Sequence, residues 1–196
     1  NQVALEGRFI PNNQPEAPGT PFFFADLAPP ARDLARARAL LREAGVEKPS
    51  FTLSVINSPI ESQVGQIIQA MAAEAGIEVK LEVLEAAATV AKCERGEFDA
   101  FIGSWSGRPD PDGNYAIWFA CDGFVNRGKY CNETVDRELA AGRSTTDLAQ
   151  RQGHYHAALA QIVAYRDAGQ ALEQRHRIVG MESRRRRDLR NRQFLV

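Results

Sequence analysis

Between residues 34 and 103 the apolar residues switch repeatedly between the 3.6-residue period of a helix and the two-residue period of a strand. Leu34, Ala37, Leu40 and Leu41 fall on one helical face, Asp33 stands where an N-cap acceptor belongs, and Gly45 follows as a stop. Phe51, Leu53 and Val55 then alternate with Thr52 and Ser54, as in a half-buried strand. A second helix is predicted over 61–75, with Val64, Ile67, Ile68 and Met71 inward and Gly76 at its end. Ile77, Val79, Leu81 and Val83 alternate again, residues 86–95 read as a short helix ended by Gly96, with Cys93 packed inside, and 98–103 read as a third strand. Helix and strand in strict alternation predict an α/β fold, a parallel or mixed sheet covered by helices, because each parallel strand needs a crossover to return to the same end. Ligands of such sheets bind beyond the carboxyl ends of the strands.

The third strand leads directly into the loop Ser104-Trp105-Ser106-Gly107-Arg108-Pro109-Asp110-Pro111-Asp112-Gly113. Ser104, Trp105, Ser106, Gly107, Arg108, Asp110 and Asp112 are therefore the candidate ligand-binding residues. Beyond them the sequence predicts a short aromatic segment over 115–119, a helix from Glu133 to about Ala141, a long helix from Asp147 to about Arg166, and a strand over 176–181. On the other side, residues 1–30 hold six of the ten prolines, which neither donate to a ladder nor continue a helix, so this is an extended lead-in anchored by Phe22-Phe23-Phe24. The expected organisation is this lead-in, a lobe over 31–166, and an arginine-rich tail over 167–196.

The formal net charge is −1, which predicts no general affinity for nucleic acid or anionic lipid. The tail is the exception: without residues 184–196 there are 18 basic and 24 acidic residues, a formal −6. A short solvated run explains Arg184-Arg185-Arg186-Arg187 better than a nucleic-acid or membrane contact. No window approaches the roughly 20 apolar residues of a membrane-spanning helix. Asn1-Gln2-Val3 carries neither an initiator Met nor a signal pattern, so the chain reads as part of something longer. The three cysteines form no C-x-x-C pair, and His154 and His156, two apart on a helix, point about 200° from each other, so neither zinc nor another metal or cofactor is expected. Cys121 and Cys131 flank a Gly/Asn-rich stretch short enough to close as a disulfide in an oxidising compartment, the alternative being two reduced buried thiols. Neither a nucleophile elbow nor a phosphate-cradling glycine loop is present.

Several stretches, taken in order, resemble the peptide-, nickel- and glutathione-binding solute receptors of ABC transporters, family 5. Asp33-Leu34-Ala35-Arg36-Ala37-Arg38-Ala39-Leu40-Leu41-Arg42-Glu43-Ala44-Gly45 is similar to that family's D-x-x-x-A-+-x-L-L-x-E-A-G helix. Gly76-Ile77-Glu78-Val79 resembles its G-I-x-V step, and Glu97-Phe98-Asp99-Ala100, Trp105 and Pro109-Asp110-Pro111-Asp112 resemble its G-x-F-D, W and P-D-P signature. Tyr130-Cys131-Asn132-Glu133-Thr134-Val135-Asp136 is similar to its Y-x-N-x-x-V-D helix start. The resemblance covers about residues 16 to 165. It implies a periplasmic-binding-protein type II-like lobe, the C-terminal one, in a two-lobed extracytoplasmic receptor. Such a receptor closes on a peptide-like, zwitterionic or anionic solute and delivers it to a membrane permease, with an N-terminal lobe supplying the rest of the site.

In peptide-binding relatives the loop after the Trp often carries an acid that pairs with the ligand's α-ammonium; here Arg108 stands in that region. A guanidinium repels an ammonium and offers two parallel donors to a carboxylate. The competing reading of Arg108 is an exposed side chain paired with Asp110 or Asp112. Those two acids could meet a cationic group, or hold a proline-flanked turn by bonding local amides, and Trp105 could lie against a peptide plane or belong to the core. The alternative from another class is an α/β domain of a hydrolase or transferase using Asp110 and Asp112 as acid and base.

Overall fold

The structure, a computed structural model, describes residues 7, 12–27, 29 and 31–177, with side chains to residue 164. It falls into two compact units, one on Ala31–Ser104 and the other on Trp105–Ala171 with the lead-in Ile10–Pro30.

In the first unit α1 (Leu34–Glu43), β1 (Ser50–Ile56), α2 (Pro59–Glu74), β2 (Glu78–Leu84), α3 (Ala86–Glu94) and β3 (Ala100–Phe101) follow in the predicted order. The sheet runs β2-β1-β3, and both pairings are parallel, with Leu53 opposite Leu81 on one side and Ala100 on the other. Local chemistry sets the helix ends. The Asp33 carboxylate accepts from the Arg36 amide at 2.8 Å, Ser58 caps α2 through the Glu61 amide at 3.2 Å, and Gly45, Gly76 and Gly96 stop the three helices at φ of 67°, 87° and 68°. Leu34, Ala37, Leu40 and Leu41 form the half-buried face expected of them. The core is Leu53, Val55, Val79 and Ala100, covered by Phe51, Ile68, Ala72, Ile77, Leu81 and Ile102. Cys93 is buried and forms no disulfide.

Two expectations fail here, the inward place of Met71 and the length of the third strand. Met71 is 42% exposed; the inward row of α2 is Gly65, Ile68 and Ala72. A Cβ at Gly65 would stand 3.1 Å from Val55 and 3.3 Å from Leu81, so the missing side chain lets α2 sit close on the sheet and decides which stripe faces it. Val83 shares a strand face with Val79 and Leu81 but stays half exposed at the carboxyl end of β2. The third strand is two residues long rather than six; at its start the Asp99 carboxylate takes the Thr52 amide at 2.9 Å where a ladder carbonyl would, and pairing begins only at Ala100.

The second unit packs α4 (Asp112–Phe119), α5 (Glu133–Ser144) and α6 (Leu148–Arg177) with the lead-in around Phe22, Tyr115, Phe119, Val135, Leu139, Tyr155 and Leu159. Phe22 anchors the lead-in edge-on to Tyr155, its carbonyl accepts from the Tyr115 hydroxyl at 3.1 Å, and Gln152 donates to Pro21 at 2.6 Å. The aromatic segment is the helix α4, and α6 continues past Arg166, so His176 and Arg177 are helical rather than the start of a strand. Residues 178–196, with the arginine run, lie outside the described residues.

Cys121 and Cys131 are joined by a disulfide. Closing a loop of this length stabilises by about 2–3 kcal/mol in the chain-entropy account. Thiol titration in denaturant without reductant is expected to find one thiol, that of Cys93; a count of three would remove the bridge.

Candidate functional site

The stretch singled out by sequence divides at the boundary of the units. Ser104 belongs to the first, beyond the carboxyl end of the sheet, where its hydroxyl donates to Glu61 at 2.8 Å. Glu61 sits in the first turn of α2, favourable for an acid, and its other oxygen accepts from the Ile56 amide at 3.1 Å.

Residues 105–112 belong to the second unit. Trp105 is 39% exposed and meets the edge of Trp118 with ring centroids 5.9 Å apart. The Arg108 guanidinium lies over the Trp105 ring at 4.9 Å, a cation–π arrangement, and its Nη1 donates to the Ser106 carbonyl at 3.2 Å and hydroxyl at 3.1 Å. Trp105 and Ser106 therefore seat the arginine. Among the described residues no acceptor meets its Nε or Nη2, and no carboxylate lies within 4 Å of it. A Cβ at Gly107 would meet nothing within 4 Å beyond its chain neighbours.

The two acids do not pair with Arg108. Asp110 accepts from the Asp112 amide at 2.9 Å, as a turn-forming aspartate does, and receives Nη2 of Arg151 at 2.9 and 3.0 Å. Asp112 meets Arg143 Nε at 3.0 Å. Burial pushes the Asp110 carboxyl up, but the Asp112 amide and the Arg151 guanidinium outweigh it and hold its pKa below the ordinary value. A carboxyl with a depressed pKa stabilises the fold above its unfolded pKa and loses that contribution as the pH falls through the folded value. Asp110→Asn is therefore expected to flatten the fall of stability below about pH 4. Urea unfolding at pH 3 and pH 7 tests this, and parallel curves for both proteins would contradict it.

The histidines are held apart as their spacing implies: His154 meets Glu138 at 2.9 Å, and His156 meets Asp26 at 2.7 Å. Two residues that shape the loop were not among those expected from the sequence, Asn114 and Glu16. Asn114 is 4% exposed, accepts from the Arg108 amide at 2.7 Å, and donates to the Arg108 carbonyl at 2.8 Å and to Glu16 at 2.6 Å. Its signal was a lone amide ahead of the apolar run Tyr115–Phe119, which is uncommon unless the amide has work to do in the interior.

The family model for bacterial extracellular solute-binding proteins, family 5 (middle), matches residues 1–126. The chain belongs to this family. Among curated relatives, the probable di/tripeptide-binding protein 5 of Pseudomonas aeruginosa is 31% identical over 167 residues, 80% of this chain and 31% of the relative. Two solved structures share the fold. The dipeptide-binding protein of Pseudoalteromonas sp. SM9913 in complex with Met-Leu matches with a TM-score of 0.74 at 21% identity, over 83% of this chain and 34% of that one. The ABC transporter-associated periplasmic binding protein DppA of Helicobacter pylori, in complex with the peptide STSA, matches with 0.68 at 28% identity, over 85% and 33%. The α/β lobe of the periplasmic-binding-protein kind, expected from the helix–strand alternation and the resemblance, is thus the fold observed. The chain spans about a third of the length of each of these proteins. These relatives are binding proteins by name, and among the described residues no helix is long and apolar enough to cross a membrane.

Proposed function

We propose that this family 5 chain is the solute-binding part of an ABC importer, working outside the cytoplasmic membrane on a peptide-like or other small zwitterionic or anionic solute, and that Arg108 reads a carboxylate of that solute. Residues 31–166 supply the C-terminal lobe, residues 1–30 its lead-in, and an N-terminal lobe and a membrane permease are the partners. The observation that carries the reading is the state of Arg108. The acids two and four residues on are paired with Arg151 and Arg143, which leaves the guanidinium, seated on Trp105 and Ser106, with its Nε/Nη2 edge turned to no internal acceptor. That edge is the pair of parallel donors a carboxylate accepts. Asp110 is poorly suited to act as a general acid, which needs a pKa near the working pH, because its pKa is lowered and its carboxylate is held by a guanidinium.

In the complete two-lobed receptor, Arg108→Ala is expected to cost about 1.5–3 kcal/mol of binding, the range for a hydrogen bond to a charged partner, or roughly ten- to hundredfold in affinity. Arg108→Lys keeps the charge without the fork and should recover only part of it. Calorimetry with a library of di- and tripeptides, their C-terminal amides and small zwitterions finds the solute and compares the three proteins; equal affinities would place Arg108 outside the site.

A further inference from the structure

We infer that Asn114 is a positioning residue for Arg108, and that Glu16 of the lead-in fixes Asn114 in that role; the consequence for ligands rests on the carboxylate reading above. The Asn114 carboxamide meets both backbone groups of Arg108, taking the N–H on Oδ1 and giving an Nδ2 proton to the carbonyl, as a neighbouring strand would. Its second Nδ2 proton goes to the Glu16 carboxylate. That third bond reinforces the orientation the two Arg108 bonds set: turning the amide over would set Oδ1 against both Glu16 and the Arg108 carbonyl. Arg108 needs such support because the open Gly107 precedes it, while Pro109 restrains it to extended backbone without offering an N–H. Gly113 completes the seat. A Cβ there would stand 2.8 Å from Cγ and 2.9 Å from Cβ of Arg108, so the arginine stem rests on the bare backbone of the first turn of α4.

The test needs no knowledge of the natural solute. On the 196-residue chain, the 15N–1H signal of Arg108 Nε reports picosecond-to-nanosecond order through its heteronuclear NOE, and sodium acetate, titrated against sodium chloride at equal ionic strength, serves as the carboxylate probe. The wild type should show an ordered Nε–H whose shift responds to acetate. Asn114→Ala should make it mobile and weaken the response about two- to tenfold, the factor attached to immobilising one long side chain. Gly113→Ala should displace the signal with the Asn114 bonds intact, and Glu16→Gln, which keeps an acceptor, should be milder than Glu16→Ala. Asn126→Ala removes a buried asparagine elsewhere in the same unit and controls for lost stability: Arg108 should stay ordered in it. Equal order of Arg108 in wild type and Asn114→Ala, or equal loss in Asn114→Ala and Asn126→Ala, would overturn the positioning role. Order that depends on Asn114 without any acetate response would uphold the positioning and overturn the carboxylate reading alone.

Discussion

Truncating Leu53 to alanine is expected to lower the stability of the first unit by about 3–5 kcal/mol, the upper part of the range for buried leucines. Leu53 is fully buried at the middle of the central strand, opposite Leu81 and Ala100, so both neighbouring strands border the void that truncation leaves. The surroundings have little room to collapse into it. β1 is held by ladders on both sides, and α2 is fixed by the close approach of Gly65 to Val55 and Leu81. Val83→Ala is the matching control, a half-exposed apolar residue on the adjacent strand whose loss should stay within roughly 0.5 kcal/mol. Urea unfolding of the three proteins, followed by far-UV circular dichroism, gives both differences. A loss below about 1 kcal/mol for Leu53→Ala would mean that β1 does not hold the centre of the core.

What the sequence disclosed and what it withheld divide by the range of the interaction. The Asp33 cap, the three glycine stops and the alternation in β1 and β2 are decided within a few residues, and all were readable. The exposure of Met71 on α2 follows the same division, since it is decided by the approach of Gly65 to Val55 and Leu81. Ala70, Met71, Ala72 and Ala73 leave two stripes nearly equal in hydrophobicity, and the residue that chooses between them, Gly65, contributes by having no side chain to count. The start of β3 lies where Asp99 meets Thr52, 47 residues away in sequence, in a register that periodicity does not contain. The loop shows the same limit more sharply. Reading along the chain, the nearest counter-charges for Arg108 are Asp110 and Asp112; in space those acids meet Arg151 and Arg143, 41 and 31 residues on from their aspartates. The loop was thus legible as a stretch of sequence, but the division of Arg108, Asp110 and Asp112 into a seated arginine and paired acids was set by α5, α6 and the lead-in.

Asn126→Ala is expected to cost about 2–4 kcal/mol with the disulfide intact, as three bonds made by a buried side chain are lost at once. Asn126 is 3% exposed inside the loop that Cys121 and Cys131 close. Its Nδ2 donates to the Ala120 carbonyl at 2.9 Å and the Tyr130 carbonyl at 2.6 Å, and its Oδ1 accepts from the Tyr130 amide at 3.0 Å, so one side chain ties the two ends of the loop beside the bridge. A disulfide limits how far those ends separate but does not orient the carbonyls and the amide, whereas the carboxamide does. Asn126→Asp separates this account from simple loss of volume. Asp keeps the acceptor for the Tyr130 amide but turns a carboxylate oxygen toward two carbonyls, a placement that disfavours ionisation and raises its folded pKa above the unfolded value near 3.9. A group raised in this way favours the fold in its protonated state, so the penalty of Asn126→Asp should be full at pH 7 and shrink as the pH falls toward 4, where a carboxylic O–H can serve one of the carbonyls. The penalty of Asn126→Ala should not follow that course. Urea unfolding of both variants at pH 7 and pH 4, with the thiol count confirming the bridge, decides the matter. A loss under about 1 kcal/mol for Asn126→Ala, or a pH-independent Asn126→Asp, would assign the shape of the loop to the disulfide alone.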